Sequence, residues 1–244
     1  MTVIYEPKGA AREYSELACN LYKGCMHGCK YCYVPGIPPW KYNDTGREFF
    51  HSQSIPRNDI VRQFEIDCMK RKGTEKEILF CFTCDPFQVG RDNTPTLECL
   101  KIAERYKIKN IQVLTKGGMS ASPAFEIIAR NGWKFAQTVV FADDKKRMEY
   151  EPNSSDTYDR LCAAKTAKEV GCKTWVSMEP VIECEEAKAV YEMFLPYCDF
   201  WKIGKINHNK ELENSQYWKA FVKWITSTIP KDKYYLKHSL RPYA

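Results

Sequence analysis

The sequence predicts a single-domain α/β protein in which six β/α units form a parallel sheet, curled into a partial (β/α)6 barrel, an incomplete version of the TIM barrel. Short apolar runs alternate along the chain with longer stretches of helical periodicity. Several short runs are apolar at nearly every position, which is typical of strands buried on both faces. With 244 residues and 44% hydrophobic content, the chain can bury one large core. An open, doubly wound sheet is the alternative arrangement.

The expected elements follow one another in order. The strands are Leu17–Tyr22, Ile78–Thr83, Ile111–Thr115, Phe135–Val140, Thr174–Met178 and Phe200–Gly204. The helices are Pro56–Arg71, Pro95–Tyr106, Ser122–Asn131, Ser155–Val170, Cys184–Leu195 and Ser215–Thr228. Pro56 and Pro95 stand in first helical turns, where proline is tolerated, Ser122 and Ser155 can cap their helices, and Gly171 stands where a helix commonly ends.

We divide the chain into three parts: an N-terminal extension at residues 1–16, the barrel at residues 17–210, and a C-terminal helix with a basic and aromatic tail at residues 211–244. The tail is interpreted as a frayed segment, although its lysines and tyrosines are also typical of a single-strand nucleic-acid binder. The insert Pro35–His51 contains Trp40, Tyr42, Phe49 and Phe50 and is expected to shield the preceding loop from water.

The loop after the first strand carries Cys25, Cys29 and Cys32 in a Cx3Cx2C spacing. Three thiolates and no fourth suit a cubane iron–sulfur cluster with one iron open to another ligand. A structural Cys3His zinc site that includes His27 is the alternative, although His27 lies between two of the cysteines and a tight loop would aim all four side chains inward with difficulty.

Composition narrows the class of protein. A disulfide framework is disfavoured because the 12 cysteines belong to a long, hydrophobic chain without an N-terminal run that resembles a signal peptide. Reduced cysteines indicate a cytoplasmic location. No apolar run approaches the roughly 18 residues of a membrane span, so no membrane partner is expected. The net charge of +6 permits an anionic partner without identifying one.

Polar or reactive residues follow every expected strand. In a parallel sheet these positions share the carboxyl edge, where ligands bind in barrels and in doubly wound sheets. After the cysteine loop they are Cys84–Gln88, Lys116–Gly118, Ala142–Asp144, Glu179–Pro180 and Lys205–Asn207. Each run alone is more typical of a turn than of a functional site, so their shared position is what favours a site.

Four runs after the cysteine loop resemble, in order, motifs of the spore photoproduct lyase-like branch of the radical S-adenosylmethionine (SAM) enzymes. They are Thr83-Cys84-Asp85-Pro86-Phe87-Gln88, Leu114-Thr115-Lys116-Gly117, Tyr150-Glu151-Pro152-Asn153 and Met178-Glu179-Pro180-Val181, within a resemblance that spans residues 17–210. The resemblance implies a partial (β/α)6 barrel, a [4Fe-4S] cluster, and cleavage of SAM to a 5′-deoxyadenosyl radical that abstracts hydrogen from a substrate. It also implies oxygen sensitivity and an electron donor such as flavodoxin or ferredoxin.

The resemblance further assigns roles to individual residues. Cys25, Cys29 and Cys32 match the cluster ligands. Lys116 matches a lysine that pairs with the SAM carboxylate, and Asp85 and Cys84 match a pair that lines the SAM pocket. Tyr31 matches an aromatic residue near the adenine. Thr138 stands where a small hydroxyl residue approaches the ribose.

One departure from the lyase concerns its hydrogen-donating cysteine, whose position is occupied by Phe82. Lyase activity is therefore not expected. Strand alternation predicts that Cys81 and Cys84 face opposite ways, so that at most one faces the cofactor, unless the strand has already ended before them. We hypothesise that Cys84 and Tyr33 quench a substrate radical.

Three functions remain open from the sequence. The first is a radical SAM enzyme acting on a nucleobase or nucleic acid, and the second is one acting on a peptide or small molecule. The third is a non-enzymatic metal-binding module, for which the ordered strand ends would be a coincidence.

Overall fold

The computed structural model describes residues 2–38, 40–42, 46–207, 209–214 and 216–244. One sheet contains eight strands in the order β1-β2-β5-β6-β7-β8-β9-β10, and a second sheet pairs β3 with β4. The strands are β1 Ile4–Tyr5, β2 Leu17–Cys19, β3 Tyr22–Lys23, β4 Ile55–Pro56, β5 Ile78–Phe80, β6 Ile111–Thr115, β7 Lys134–Thr138, β8 Lys173–Val181, β9 Phe200–Lys205 and β10 Tyr234–Leu236. All pairings in the large sheet are parallel except β1 with β2.

The helices cover the outer face of this sheet. They are α1 Gly46–His51, α2 Ile60–Lys70, α3 Thr94–Arg105, α4 Phe125–Arg130, α5 Asp144–Tyr150, α6 Thr157–Val170, α7 Cys184–Phe194, α8 Lys210–Asn214 and α9 Trp218–Thr228. One buried cluster joins β2, β5 and β6 to α2, α3 and α4, and a second joins β8 and β9 to α7 and α9. Within the described parts of the chain, no helix is long and apolar enough to span a membrane.

The sheet is curled, as the contacts of Tyr14 demonstrate. Its ring lies 5.9 Å from that of Phe82, just beyond β5, and 6.1 Å from that of Trp175 on β8. Two strands separate β5 from β8, so in a flat sheet they would lie roughly 14 Å apart at about 4.8 Å per strand. One tyrosine reaches both because the sheet bends around it, which confirms the predicted partial barrel.

The structure corrects several predicted elements. The first strand divides into β2 and β3, and the second ends at Phe80 instead of Thr83. Ser122 lies inside a 3-10 segment, Gly118–Ala124, where Pro123 interrupts the regular helix. Asp156 caps α6 in place of Ser155, since its carboxylate accepts the Asp159 N–H at 2.6 Å.

The prediction of a frayed tail is wrong. Tyr234–Leu236 form β10, which pairs in parallel with β9 and places Lys237 beside the barrel interior. In the insert, the centroid of the Trp40 ring lies 5.9 Å from that of Phe49, in a tilted arrangement, and 5.1 Å from that of Phe50, edge to face. The Tyr42 side chain and residues 39 and 43–45 lie outside the described residues. Residue 215, where the last helix was predicted to begin, also lies outside them.

Candidate functional site

The loop that carries the three cysteines, Gly24–Tyr33, follows β3 and is fixed through its backbone. Gly24 has φ +82°, and a Cβ there would lie 2.3 Å from the Gln53 carbonyl oxygen, so the approach requires glycine. Residues from several distant segments hydrogen-bond to the loop. These bonds are Met26 N–H to Gln88 Oε1 (2.7 Å), Cys25 N–H to Phe50 O (3.1 Å), Lys30 N–H to Tyr150 O (2.9 Å), Asn153 Nδ2 to Met26 O (3.0 Å) and Arg47 Nη2 to Cys32 O (3.0 Å).

Cys25, Cys29 and Cys32 are free thiols on this loop, with Cys29 buried and the other two half-buried. Burial raises the pKa of each thiol, for Cys29 to about 12. Among the described residues, no three His, Cys, Asp or Glu side chains already surround a common metal position. Binding of a cluster would remove the protons of the three thiols. The donor set, three thiols on one pinned loop, fits a [4Fe-4S] cluster with one open iron.

His27 lies on the same loop and is 2% exposed. Its Nδ1 lies 3.5 Å from Asp85 Oδ2, and its Nε2 is buried without a hydrogen-bond partner. Burial lowers the pKa of this imidazole to about 4, so it is neutral.

Asp85 is buried and fastens the segment after β5 to the end of β6. Its Oδ1 accepts hydrogen bonds from the Phe87 N–H at 2.9 Å and the Thr115 hydroxyl at 2.5 Å. Its Oδ2 accepts the Lys116 N–H at 2.7 Å. Both carboxylate oxygens are thus used by protein donors, which position the backbone of Lys116.

The Lys116 ammonium lies 5.6 Å above the centroid of the Tyr31 ring. Burial lowers the pKa of Lys116, but Cys29 and Glu151 raise it, and the result is above its ordinary value. Among the described residues, no carboxylate comes within ion-pair distance of this ammonium. A half-buried, protonated cation is therefore available beside the cysteine loop.

Glu151 and Arg160, which the sequence did not indicate as a pair, form a fully buried ion pair at 2.6 Å beneath this site. The Tyr31 hydroxyl donates to Glu151 Oε1, so the pair holds the ring against which Lys116 packs. Burial would raise the pKa of Glu151, but Arg160 and Lys116 lower it below its ordinary value. A buried charge is favourable only with such partners, so the pair fixes the site's geometry.

Thr138 is the last residue of β7, and its carbonyl oxygen accepts a hydrogen bond from Arg160 Nη1 at 2.8 Å. The structure therefore brings Thr138 next to the ion pair that supports Tyr31. This places the predicted ribose-facing residue at the carboxyl edge of the sheet, together with Asp85 and Lys116.

Cys84 departs from the expected strand geometry. Because β5 ends at Phe80, alternation does not extend to residues 81 and 84, and both thiols are free and buried. Cys84 Sγ also accepts the Tyr22 N–H at 3.5 Å, and burial raises the pKa of its thiol. The strand has therefore already ended before these two cysteines, which is the exception to strand alternation that the sequence left open. Tyr33, in contrast, is 53% exposed, and its hydroxyl donates to the Phe82 carbonyl oxygen at 3.3 Å.

A second polar group lies inside the barrel and includes residues that the sequence did not indicate. The Tyr14 hydroxyl hydrogen-bonds to Ser177 Oγ at 2.7 Å and donates to Glu179 Oε2. Lys237 Nζ lies 2.7 Å from the same carboxylate oxygen and 4.2 Å from the centroid of the Tyr14 ring. Glu179 stood among the strand-end residues, but Tyr14 and Lys237 come from the predicted extension and tail, and only the curl of the sheet brings them here.

Comparison with known proteins agrees with this architecture. A variant of spore photoproduct lyase with bound AdoMet and dinucleoside spore photoproduct matches with a TM-score of 0.65 and 14% identity over 95% of this chain and 79% of the lyase. The lyase complexed with dinucleoside spore photoproduct matches with a TM-score of 0.62 and 16% identity, over 96% of this chain and 79% of the lyase. SuiB from Streptococcus suis, bound to S-adenosylmethionine, matches with a TM-score of 0.62 and 13% identity, over 90% of this chain and 49% of SuiB. No family model matches the chain, and no curated protein matches it in sequence.

The chain thus has an α/β fold with a mostly parallel sheet, of the partial-barrel type of the structures it matches. Among the matching structures it shares this fold with spore photoproduct lyase and with SuiB. The structural resemblance that the sequence motifs predicted is confirmed.

Proposed function

We propose that this protein is a radical SAM enzyme in which Cys25, Cys29 and Cys32 hold a [4Fe-4S] cluster. The observation that carries the proposal is a loop of three free thiols, pinned at the carboxyl edge of this fold beside the Lys116 ammonium. When bound, cluster and SAM together supply a 5′-deoxyadenosyl radical for hydrogen abstraction. An electron donor of the flavodoxin or ferredoxin type belongs to the same proposal.

The chain's own residues bind and orient SAM. Lys116 pairs with its carboxylate, because an ammonium without a protein carboxylate partner stabilises an incoming one. Tyr31, held by Glu151, supplies an aromatic surface for the adenine, and Thr138 lies where the ribose would approach. Asp85 and Cys84 line the pocket, and Asp85 acts as a positioning residue for Lys116.

The proposal is tested by anaerobic reconstitution with iron and sulfide, followed by SAM and a strong reductant. We expect bound iron, charge-transfer absorption in the visible range and formation of 5′-deoxyadenosine. The Cys25/Cys29/Cys32→Ala variant should lose all three, because it removes the proposed ligands of the cluster. The matched control is Cys162/Cys172/Cys198→Ala, three cysteines outside the site, which should keep them. Iron binding without 5′-deoxyadenosine would instead support the metal-binding module.

Replacement of Lys116 by methionine should weaken SAM binding by about ten- to a hundred-fold, since a charge-assisted hydrogen bond contributes roughly 1.5–3 kcal/mol. Equilibrium dialysis with the reconstituted protein measures this affinity. Lys30→Met is the control, because Lys30 lies on the cysteine loop but pairs with Glu149 in solvent at 3.2 Å. Equal SAM affinity in the two variants would contradict the role of Lys116.

We further propose a substrate that contains a nucleobase. The exposed ring of Tyr33, at the end of the cysteine loop, offers a stacking surface, and the net charge of +6 permits an anionic chain. Binding of single-stranded DNA or RNA that falls steeply with salt would support this substrate. Salt-independent behaviour would favour the peptide or small-molecule alternative.

Cys84 and Tyr33 are the residues we propose to quench the substrate radical. The contact of Tyr33 with the Phe82 backbone places it next to the segment that carries Cys84. A Cys84→Ala variant that turns over substrate at the native rate to the native product would exclude a role for the thiol.

A further inference from the structure

We propose that the amino-terminal end of the barrel contains a second binding site, which accepts an oxyanion group of a small molecule. A cavity of about 300 Å³ lies there. Its walls include Gln112, Lys134, Trp175 and Lys202, which stand at or near the first residues of β6, β7, β8 and β9. This volume is at the lower end of the range for small-molecule pockets.

This cavity is separate from the candidate cofactor site. Parallel strands place their amino ends at one edge of the sheet and their carboxyl ends at the other, and the cysteine loop and Lys116 lie at the carboxyl edge. Tyr14 lies between the two. Its carbonyl oxygen accepts hydrogen bonds from Lys202 Nζ at 2.9 Å and from Gln112 Nε2 at 2.5 Å. The proposal is therefore independent of any SAM chemistry.

The first argument is an unused donor. Trp175 is 4% exposed, and its indole N–H is buried with no hydrogen-bond partner. A buried donor without an acceptor costs roughly 1–3 kcal/mol, and a ligand oxygen would remove that cost. Trp175 is one of the residues that line the cavity.

The second argument is the balance of charge. Within the described ranges, no carboxylate comes within ion-pair distance of Lys202, whose ammonium lies 4.6 Å from the Trp175 ring centroid. Burial lowers the pKa of Lys202 to about 8, so it stays protonated at neutral pH. The exposed Lys173 adds a further cation to the cavity wall, which also includes Lys134.

The acidic residues of this region are already engaged. Asp199 pairs with Lys168 and accepts hydrogen bonds from Thr174 N–H at 2.9 Å and from the Thr174 hydroxyl at 3.1 Å. Glu77 pairs with Lys134 at 2.6 Å. The groups that remain are donors and cations, which select a ligand rich in negatively charged oxygen. The indole wall of Trp175 favours a small molecule that also carries an apolar part.

The test is a titration of the full-length, isotope-labelled protein with inorganic phosphate and, separately, with acetate, in a buffer free of other oxyanions. The Trp175 indole N–H resonance, assigned with Trp175→Phe, should shift in a saturable manner with at least one anion. Phosphate alone would assign a phosphate ester as the ligand class, and acetate alone a carboxylate. Lys202→Met should weaken the affinity at least ten-fold.

Two further variants complete the test. Lys188→Met is the matched control, because Lys188 also lies over a tryptophan ring, that of Trp224 at 5.9 Å, but on α7. It should bind as the native protein does. Lys173→Met removes an exposed cation of the cavity without disturbing the core and should weaken binding less than Lys202→Met. Absence of a saturable shift with either anion, or native affinity in both cavity-lysine variants, would overturn the site.

Discussion

Replacement of Arg160 by methionine is expected to destabilise the protein by about 3–5 kcal/mol at pH 7, because it leaves the Glu151 carboxylate buried without its partner. Both side chains are fully buried, and Arg160 also donates to the carbonyl oxygens of Ser155 and Thr138. Urea unfolding of the metal-free protein under anaerobic conditions measures the loss. Removal of both charges in Arg160→Met/Glu151→Gln should restore most of the stability, since the isolated charge is then absent.

The contribution of Glu151 to the unfolding free energy should change with pH in opposite directions in the native protein and in Arg160→Met. In the native protein the lowered pKa of Glu151 stabilises the fold at neutral pH, and this contribution is lost as the pH falls through the lowered pKa. In Arg160→Met the pKa of Glu151 should lie above its unfolded value, so that the native state takes up the proton. The difference in unfolding free energy between the two proteins should therefore shrink from pH 7 to pH 5. A loss of unfolding free energy below about 1 kcal/mol in Arg160→Met, or a loss that does not depend on pH, would contradict this account.

Replacement of Gly117 by alanine is expected to destabilise the protein by about 4 kcal/mol or more, which is the range of severe steric defects. A Cβ at this position would lie 1.6 Å from the Phe87 carbonyl oxygen, and backbone cannot move aside as a flexible side chain can. The shift would separate the segment after β5 from the end of β6, where Asp85 holds the Lys116 N–H at 2.7 Å. We therefore expect the variant to lose SAM binding together with stability.

Substitutions at two other glycines serve as controls that distinguish the effect of this steric contact from that of backbone strain. Gly117 has φ −85°, which alanine adopts freely, so the steric contact alone carries the effect. Gly132 has φ +65° with nothing within 4 Å of a Cβ, and Gly132→Ala should cost only about 1–2 kcal/mol of strain. Gly36 has neither feature, and Gly36→Ala should lie within about 0.5 kcal/mol of the native protein. Similar losses of stability in the alanine variants of Gly117, Gly132 and Gly36 would exclude the Phe87 contact as the cause.

Much of the barrel was predictable because its signals are local. The apolar runs of β6, β7, β8 and β9 and the helices that follow them lie within a few residues of their predicted bounds. The early termination of β5 was not predictable, since Cys81, Phe82 and Thr83 continue the apolar, β-prone pattern. Their departure from the sheet depends on a distant partner, Asn20, whose side-chain oxygen accepts both the Phe82 and the Thr83 N–H at 2.9 Å.

The sequence by itself determined the α/β class, the order of the β/α units and the three-cysteine loop, because periodicity and spacing are properties of neighbouring residues. Only the tertiary structure decided which polar side chains meet. Glu151 and Arg160 form an ion pair beneath Tyr31. The Asp85 carboxylate accepts a hydrogen bond from the backbone at the end of β6. Tyr14 and Lys237, which are distant in sequence, lie together inside the barrel. The physical reason is that burial of a charge requires a partner with matching geometry, and the curl of the sheet brings such partners together from distant parts of the chain.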